Sequence, residues 1–200
     1  MCYNSRIGSL AQLARASRLH REGRGFEPLA THHIMTERKE KTYAFIDGNN
    51  LYLGAKSQGI KLHYGDLRLY LRNRLGVDKV FLFIGYDPDN ASLYKTLQSY
   101  GYILIFKPTI TYTENGKRTM KGNVDAELVL HSAAIEYGNY DKAIIITSDG
   151  DFACLIKYLQ ENEKLSKIIT PTKFHSSLFQ PYTSYILPLS RIKSNISRNK

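Results

Sequence analysis

Thr147-Ser148-Asp149-Gly150-Asp151 sets two carboxylates one glycine apart, directly after the apolar run Ala143-Ile144-Ile145-Ile146. Two charges held together at the end of a buried strand repel unless something neutralises them. A turn with Ser148 or Asp149 as helix cap is therefore only part of the account. Asp47 ends a second apolar stretch, Thr42 to Ile46, in the turn Asp47-Gly48-Asn49-Asn50, and Asp125 opens a helical pattern. Each has an ordinary reading alone, since Asp, Gly and Asn are turn residues and an acid in a first helical turn is favoured by the helix dipole. Together, three or four carboxylates on one rim make an oxygen-ligand site suited to Mg²⁺ or Mn²⁺, hard ions that keep several waters and bind phosphate oxygens. Such an ion eases deprotonation of a water and stabilises charge developing on phosphate. The chemistry expected is that of a metal-dependent nuclease.

Other chemistries lack their residues. No GxxxxGK[ST] loop, GxGxxG after the first strand, GxSxG or HExxH occurs. His20, His32 and His33 lie near the amino terminus, and His63, His131 and His175 show no ligand spacing; His131 reads as a helix-face residue rather than a base. Cys2 and Cys154 exclude a disulfide framework, and Cys154 reads as a small buried hydrophobe. Lys117, Arg118 and Lys121 are candidates for phosphate contacts, with Ser148 also expected to touch nucleic acid, and Tyr86, Tyr112 or Tyr182 for stacking on unpaired bases.

The elements that must position these groups alternate. Strands are predicted at Thr42 to Ile46, Val80 to Ile84, Tyr102 to Phe106, Lys142 to Thr147 and Ser166 to Ile169. Between them, helices are predicted over Leu51 to Gln58, Leu67 to Leu75, a segment capped by Asn90 and running to Tyr100, Asn123 to Tyr137, and Asp151 to Gln160. Glu114-Asn115-Gly116 marks a hairpin flap. Strand–helix alternation implies crossover connections, hence an α/β fold in three α/β/α layers around a mostly parallel sheet. Ligands of such sheets bind at the carboxyl ends of the strands, beside the point where strand order reverses. Asp47, Asp87, Asp149 and Asp151 all fall at such ends.

The chain carries a formal +10, which favours a polyanionic partner. Residues 1–34 hold five Arg and no Lys, and their Ala11 to Ala16 and Gly25 to Pro28 can be written as codons resembling the D-arm and T-arm of a transfer RNA gene. They are expected to be a mis-called, disordered leader, with Met35 as initiator. Without the leader's five Arg and two Glu, 23 basic and 16 acidic residues leave +7. No apolar run approaches the about 18 residues of a membrane span. A cytoplasmic protein is expected, with residues 35–190 as the domain and 191–200 as a mobile basic tail. Tyr-rich faces are compatible with a homodimer.

Phe45-Ile46-Asp47-Gly48-Asn49-Asn50-Leu51, then Lys121-Gly122-Asn123-Val124-Asp125, then Thr147-Ser148-Asp149-Gly150-Asp151-Phe152, in that order, resemble the NYN domain, the LabA-like branch of the PIN-like nuclease superfamily. The resemblance covers roughly Lys41 to Leu189. It implies a PIN-like sandwich that cuts RNA, single-stranded in this reading, with Mg²⁺ or Mn²⁺ held by Asp47, Asp125, Asp149 and Asp151. It further implies that Asn50 orients Asp47 or a metal-bound water, and that Ser148 hydrogen-bonds within the cluster. Asp149 is expected to be the more direct ligand and Asp151 to act through water. The alternative is a non-catalytic RNA-binding or regulatory adaptor of the same fold. Either way, the oxygens of Asp47, Asp125 and Asp149 should converge on one rim.

Overall fold

The computed structural model describes residues 38–107 and 124–197, with the backbone of 110–114 and 117–121. The expected leader, 1–34, and residues 198–200 lie outside the described residues. In chain order the elements are β1 (Thr42–Asp47), α1 (Gly48–Ser57), α2 (Tyr64–Leu75), β2 (Val77–Gly85), α3 (Ala91–Ser99), β3 (Tyr102–Lys107), β4 (Ile110–Glu114) and β5 (Lys117–Lys121). There follow α4 (Asp125–Leu130), β6 (Lys142–Ile146), α5 (Ala153–Glu161), β7 (Leu165–Thr170), β8 (Ile186–Pro188) and α6 (Lys193–Ile196).

Six strands form one sheet in the order β3-β2-β1-β6-β7-β8, and every pairing is parallel. The central strands are apolar on both faces because both are covered. Ala44, Ile46, Val80, Leu82, Ile144 and Ile146 pack on one side with Leu51, Leu67, Leu71 and Leu97 of the first three helices. Their neighbours Phe45, Phe81, Phe83, Ala143 and Ile145 pack on the other with Leu128, Leu155, Ile156 and Leu159. Period-two alternation thus feeds two cores, and the layers are α/β/α as expected. The expected hairpin also holds in its strands: β4 and β5 pair antiparallel, with Glu114 opposite Lys117.

Several local expectations change. Residues 191–197 are not a loose tail. Leu189, Ile192 and Ile196 repeat at helical spacing and are buried in the first core, His63 N–H donates to Ile196 C=O at 2.8 Å, and Leu62 bridges to Ser197. The expected helix from Asn123 is shorter in regular form, α4 passing into a π-helical turn over His131–Ile135. Within that turn His131 packs edge-on to Phe83, 5.5 Å between ring centres. Asn90 makes no side-chain cap to α3; its Nδ2 donates to Asp87 Oδ2 at 2.9 Å, and Asp87 caps the short turn Pro88–Asn90. Cys154 is exposed, because the buried stripe of α5 runs through Leu155, Ile156 and Leu159. No helix among the described residues is long and apolar enough to cross a membrane.

Candidate functional site

Sheet order reverses between β1 and β6: from β1 the chain proceeds to β2 on one side, and from β6 to β7 on the other. The crevice opened by that reversal lies outside the carboxyl ends of the two strands. Asp47 is the last residue of β1, and Thr147 follows β6 directly.

Asp47 is only 6% exposed. Its Oδ1 accepts the Asn50 N–H at 3.0 Å, capping α1, and its Oδ2 faces the Thr147 hydroxyl at 3.5 Å. Thr147 Oγ1 in turn accepts the Asp149 N–H at 3.2 Å. Asn50 then ties the two strand ends together, its side-chain Oδ1 accepting the Ser148 N–H at 2.9 Å. Asp149 Oδ1 accepts the Asp151 N–H at 3.0 Å and caps the turn Gly150–Phe152. The two acids one glycine apart are thus partly cap and capped turn, as their spacing allows, and both also line the cavity beside Asp47.

A third segment, after β7, closes onto these loops. Ser148 Oγ accepts the Thr172 N–H at 3.0 Å, and Ser148 C=O accepts the Ser176 N–H at 3.2 Å. Two glycines permit that approach: a β-carbon on Gly54 would lie 2.6 Å from Pro171 Cβ, and one on Gly150 would collide with the Ser176 hydroxyl. Gln58 Nε2 adds a hydrogen bond to Pro171 C=O.

Asp47, Asn50, Asp125, Asp149, Asp151 and Thr172 line one cavity of about 540 Å³. Burial pushes the Asp47 carboxyl above its usual range; the Asn50 N–H opposes this, and the charges of Asp125 and Asp149 push it further up. The three acids are close enough to feel one another. Among the described residues, however, no three His, Cys, Asp or Glu side chains stand within joint reach of one ion. The donors are all oxygen, which suits a hard ion that keeps most of its waters and takes one or two carboxylates directly. A cation would also relieve the repulsion that raises Asp47.

The structure brings all four predicted acids and Asn50 to line this cavity, but the expected convergence of Asp47, Asp125 and Asp149 on one shared ion is not met among the described residues. Ser148 lies beside it as a brace between loops, its hydroxyl committed to Thr172. Asp87 is elsewhere, at the end of β2. Lys117, Arg118 and Lys121 lie on β5, and their side chains are outside the described residues. Thr147, bonded to Asp47 and Asp149, and Thr172, which lines the cavity, are neighbours of the acids to which the sequence assigned no role. Thr147 precedes the acidic pair and could have been noticed; Thr172 is brought in only by sheet order.

The NYN domain family model matches residues 41–189. Among solved structures, the chain is similar to the crystal structure of a protein of unknown function from Vibrio parahaemolyticus RIMD 2210633. That likeness is at 20% identity, over 78% of this chain and 96% of that one, with a TM-score of 0.60, and at this identity it shows the fold alone. No curated protein matches this chain.

Proposed function

Because this chain belongs to the NYN domain family, whose fold is nuclease-like, we propose that it is a divalent-metal-dependent ribonuclease acting on single-stranded RNA. The observation that carries the reading is the cavity at the β1/β6 reversal, which Asp47, Asp125, Asp149 and Asp151 line and in which burial first, and the charges of Asp125 and Asp149 next, raise the Asp47 carboxyl.

Asp47 and Asp149 would hold Mg²⁺ or Mn²⁺, with Asp125 beside them. Bound there, the ion would activate water and stabilise the charge developing on a phosphodiester. The chain's own contribution is orientation. The Asn50 N–H and the Thr147 hydroxyl hold the two oxygens of Asp47, and Asn50 keeps the β6 loop in register with it. Asp151, exposed and lining the same cavity, would act through water. The basic surplus of +7 over residues 35–200 would hold an RNA that this acidic centre repels.

Labelled single-stranded RNA incubated with Mn²⁺ and either wild type or Asp149→Asn tests the reading. Metal-dependent cleavage reduced at least ~100-fold in the variant is expected, since even outer-shell partners of a metal site cost up to that factor. Equal cleavage by both proteins would remove the acids from the mechanism. Absence of cleavage over a range of RNAs and metals would leave the adaptor reading.

A further inference from the structure

The loop after β7 presents an aromatic ring to solvent. Phe174 is 82% exposed, the most exposed large apolar side chain among the described residues. A single exposed apolar residue needs no explanation of its own, but the setting of this one does. Both ends of its loop are held by Ser148 of the acidic turn, through the N–H groups of Thr172 and Ser176. Within the loop the Thr172 hydroxyl donates to Phe174 C=O at 2.5 Å, while Thr172 lines the acidic cavity. His175 stacks on the buried Phe179, ring centres 6.2 Å apart and planes at 17°, which anchors the loop beside the exposed ring. Lys173 Nζ lies over one face of the Phe174 ring, 5.4 Å from its centre, so a base would stack on the opposite face.

We propose that Phe174, with Lys173 beside it, is a stacking platform for an unpaired nucleobase of single-stranded RNA whose backbone passes the acidic cavity; this rests on the ribonuclease reading. A flat ring on a braced loop offers any base a π-face, and an adjacent ammonium offers its phosphate a counter-charge, which together are what sequence-tolerant single-strand binding requires. A base inside a duplex is already stacked on both faces and gains nothing from the ring. A protein partner or a second copy of the chain would use Phe174 as an apolar anchor, a role leucine also fills.

The test is binding of labelled oligoadenylate to the full chain, with Ca²⁺ in place of Mn²⁺ to hold back hydrolysis, for wild type, Phe174→Ala, Phe174→Leu and Phe174→Tyr. Phe174→Ala and Phe174→Leu should bind roughly tenfold more weakly, and Phe174→Tyr should match wild type. A duplex of the same sequence should not distinguish the four. The chain contains no Trp, so Phe174→Trp creates a single fluorescent reporter whose emission should be quenched by the oligonucleotide. Unchanged affinity in Phe174→Ala overturns the platform while cleavage by wild type still stands. Wild-type affinity in Phe174→Leu shows that the ring's π-face does not bind the base and overturns the platform; a change of oligomeric state in Phe174→Ala assigns the ring to protein contact and overturns it too. Failure of wild type to bind RNA removes both platform and ribonuclease.

Discussion

Asp47 is destabilising in the metal-free protein at any pH where it is ionised. Burial raises its carboxyl, the Asn50 N–H only partly offsets that, and Asp125 and Asp149 add repulsion. The sign follows from linkage: a carboxyl raised in the folded state contributes stability that is lost as pH rises through the raised value. Asparagine at this position keeps an acceptor for the Asn50 N–H and offers an amide to Thr147 Oγ1, which has a second lone pair available. Asp47→Asn should therefore raise the melting temperature of the chelated protein at neutral pH by a few degrees. If the cavity takes Mn²⁺ as proposed, the substitution should also abolish the further rise that Mn²⁺ would give wild type, as expected where function is held at the expense of stability. Thermal melts of both proteins in EDTA and in Mn²⁺ decide it. A lower melting temperature for the variant in EDTA, or an undiminished response to Mn²⁺, would contradict this account of Asp47.

At the level of elements, what the sequence revealed depended on length and on cover. The runs Thr42 to Ile46, Val80 to Ile84 and Lys142 to Thr147 were legible as central strands because they are covered on both faces and therefore continuously apolar. β8 and α6 were not. Each is too short for a period to register, and Ile192 and Ile196 sit among Arg191, Lys193, Ser194 and Asn195, so the local composition reads as a polar tail. Only the groove beside α2 shows why they are apolar. Asn90 misled for a related reason: it has the residue type of a cap, but Asp87 three positions earlier takes the turn and engages the Asn90 amide. Asp47, Asp149 and Asp151 were legible because they lie at or just beyond strand ends, and Asp125 because it opens a helix, whereas Thr172 depended on which strand lies beside β6. If α6 belongs to the core, Ile196, which is fully buried, should behave as a core residue. Ile196→Ala should cost about 2 to 4 kcal/mol, read as a lower urea midpoint with an unchanged slope. A cost below about 0.5 kcal/mol, typical of surface positions, would return the segment to the status of a tail.

On the scale of the whole molecule, charge is divided: a cavity lined by four carboxylates lies in a protein whose residues 35–200 carry +7. A polyanion approaching that cavity is repelled locally and attracted by the rest of the surface, so the two contributions should separate with salt and with chelator. Neutralising phosphates with Lys and Arg releases counterions, giving a log–log salt slope of about −0.7 per phosphate for single strands. If about three to five phosphates are contacted, the affinity for oligoadenylate should fall roughly 20- to 100-fold between 50 and 200 mM salt. Chelation acts on the other contribution. With an ion held as proposed, its removal would leave the charges of Asp47, Asp125 and Asp149 uncompensated before phosphate, so affinity should drop further in EDTA than in Ca²⁺ at every salt concentration. Asp149→Asn should narrow that gap, because it removes one of the repelling charges along with a proposed ligand. Anisotropy titrations over a salt series, with and without chelator, give both quantities in one experiment. A flat salt dependence would assign binding to stacking and neutral hydrogen bonds rather than to the basic surface. Equal affinities in EDTA and Ca²⁺ would mean that RNA does not enter the acidic cavity, and a ribonuclease whose substrate avoids its carboxylates could not work as described.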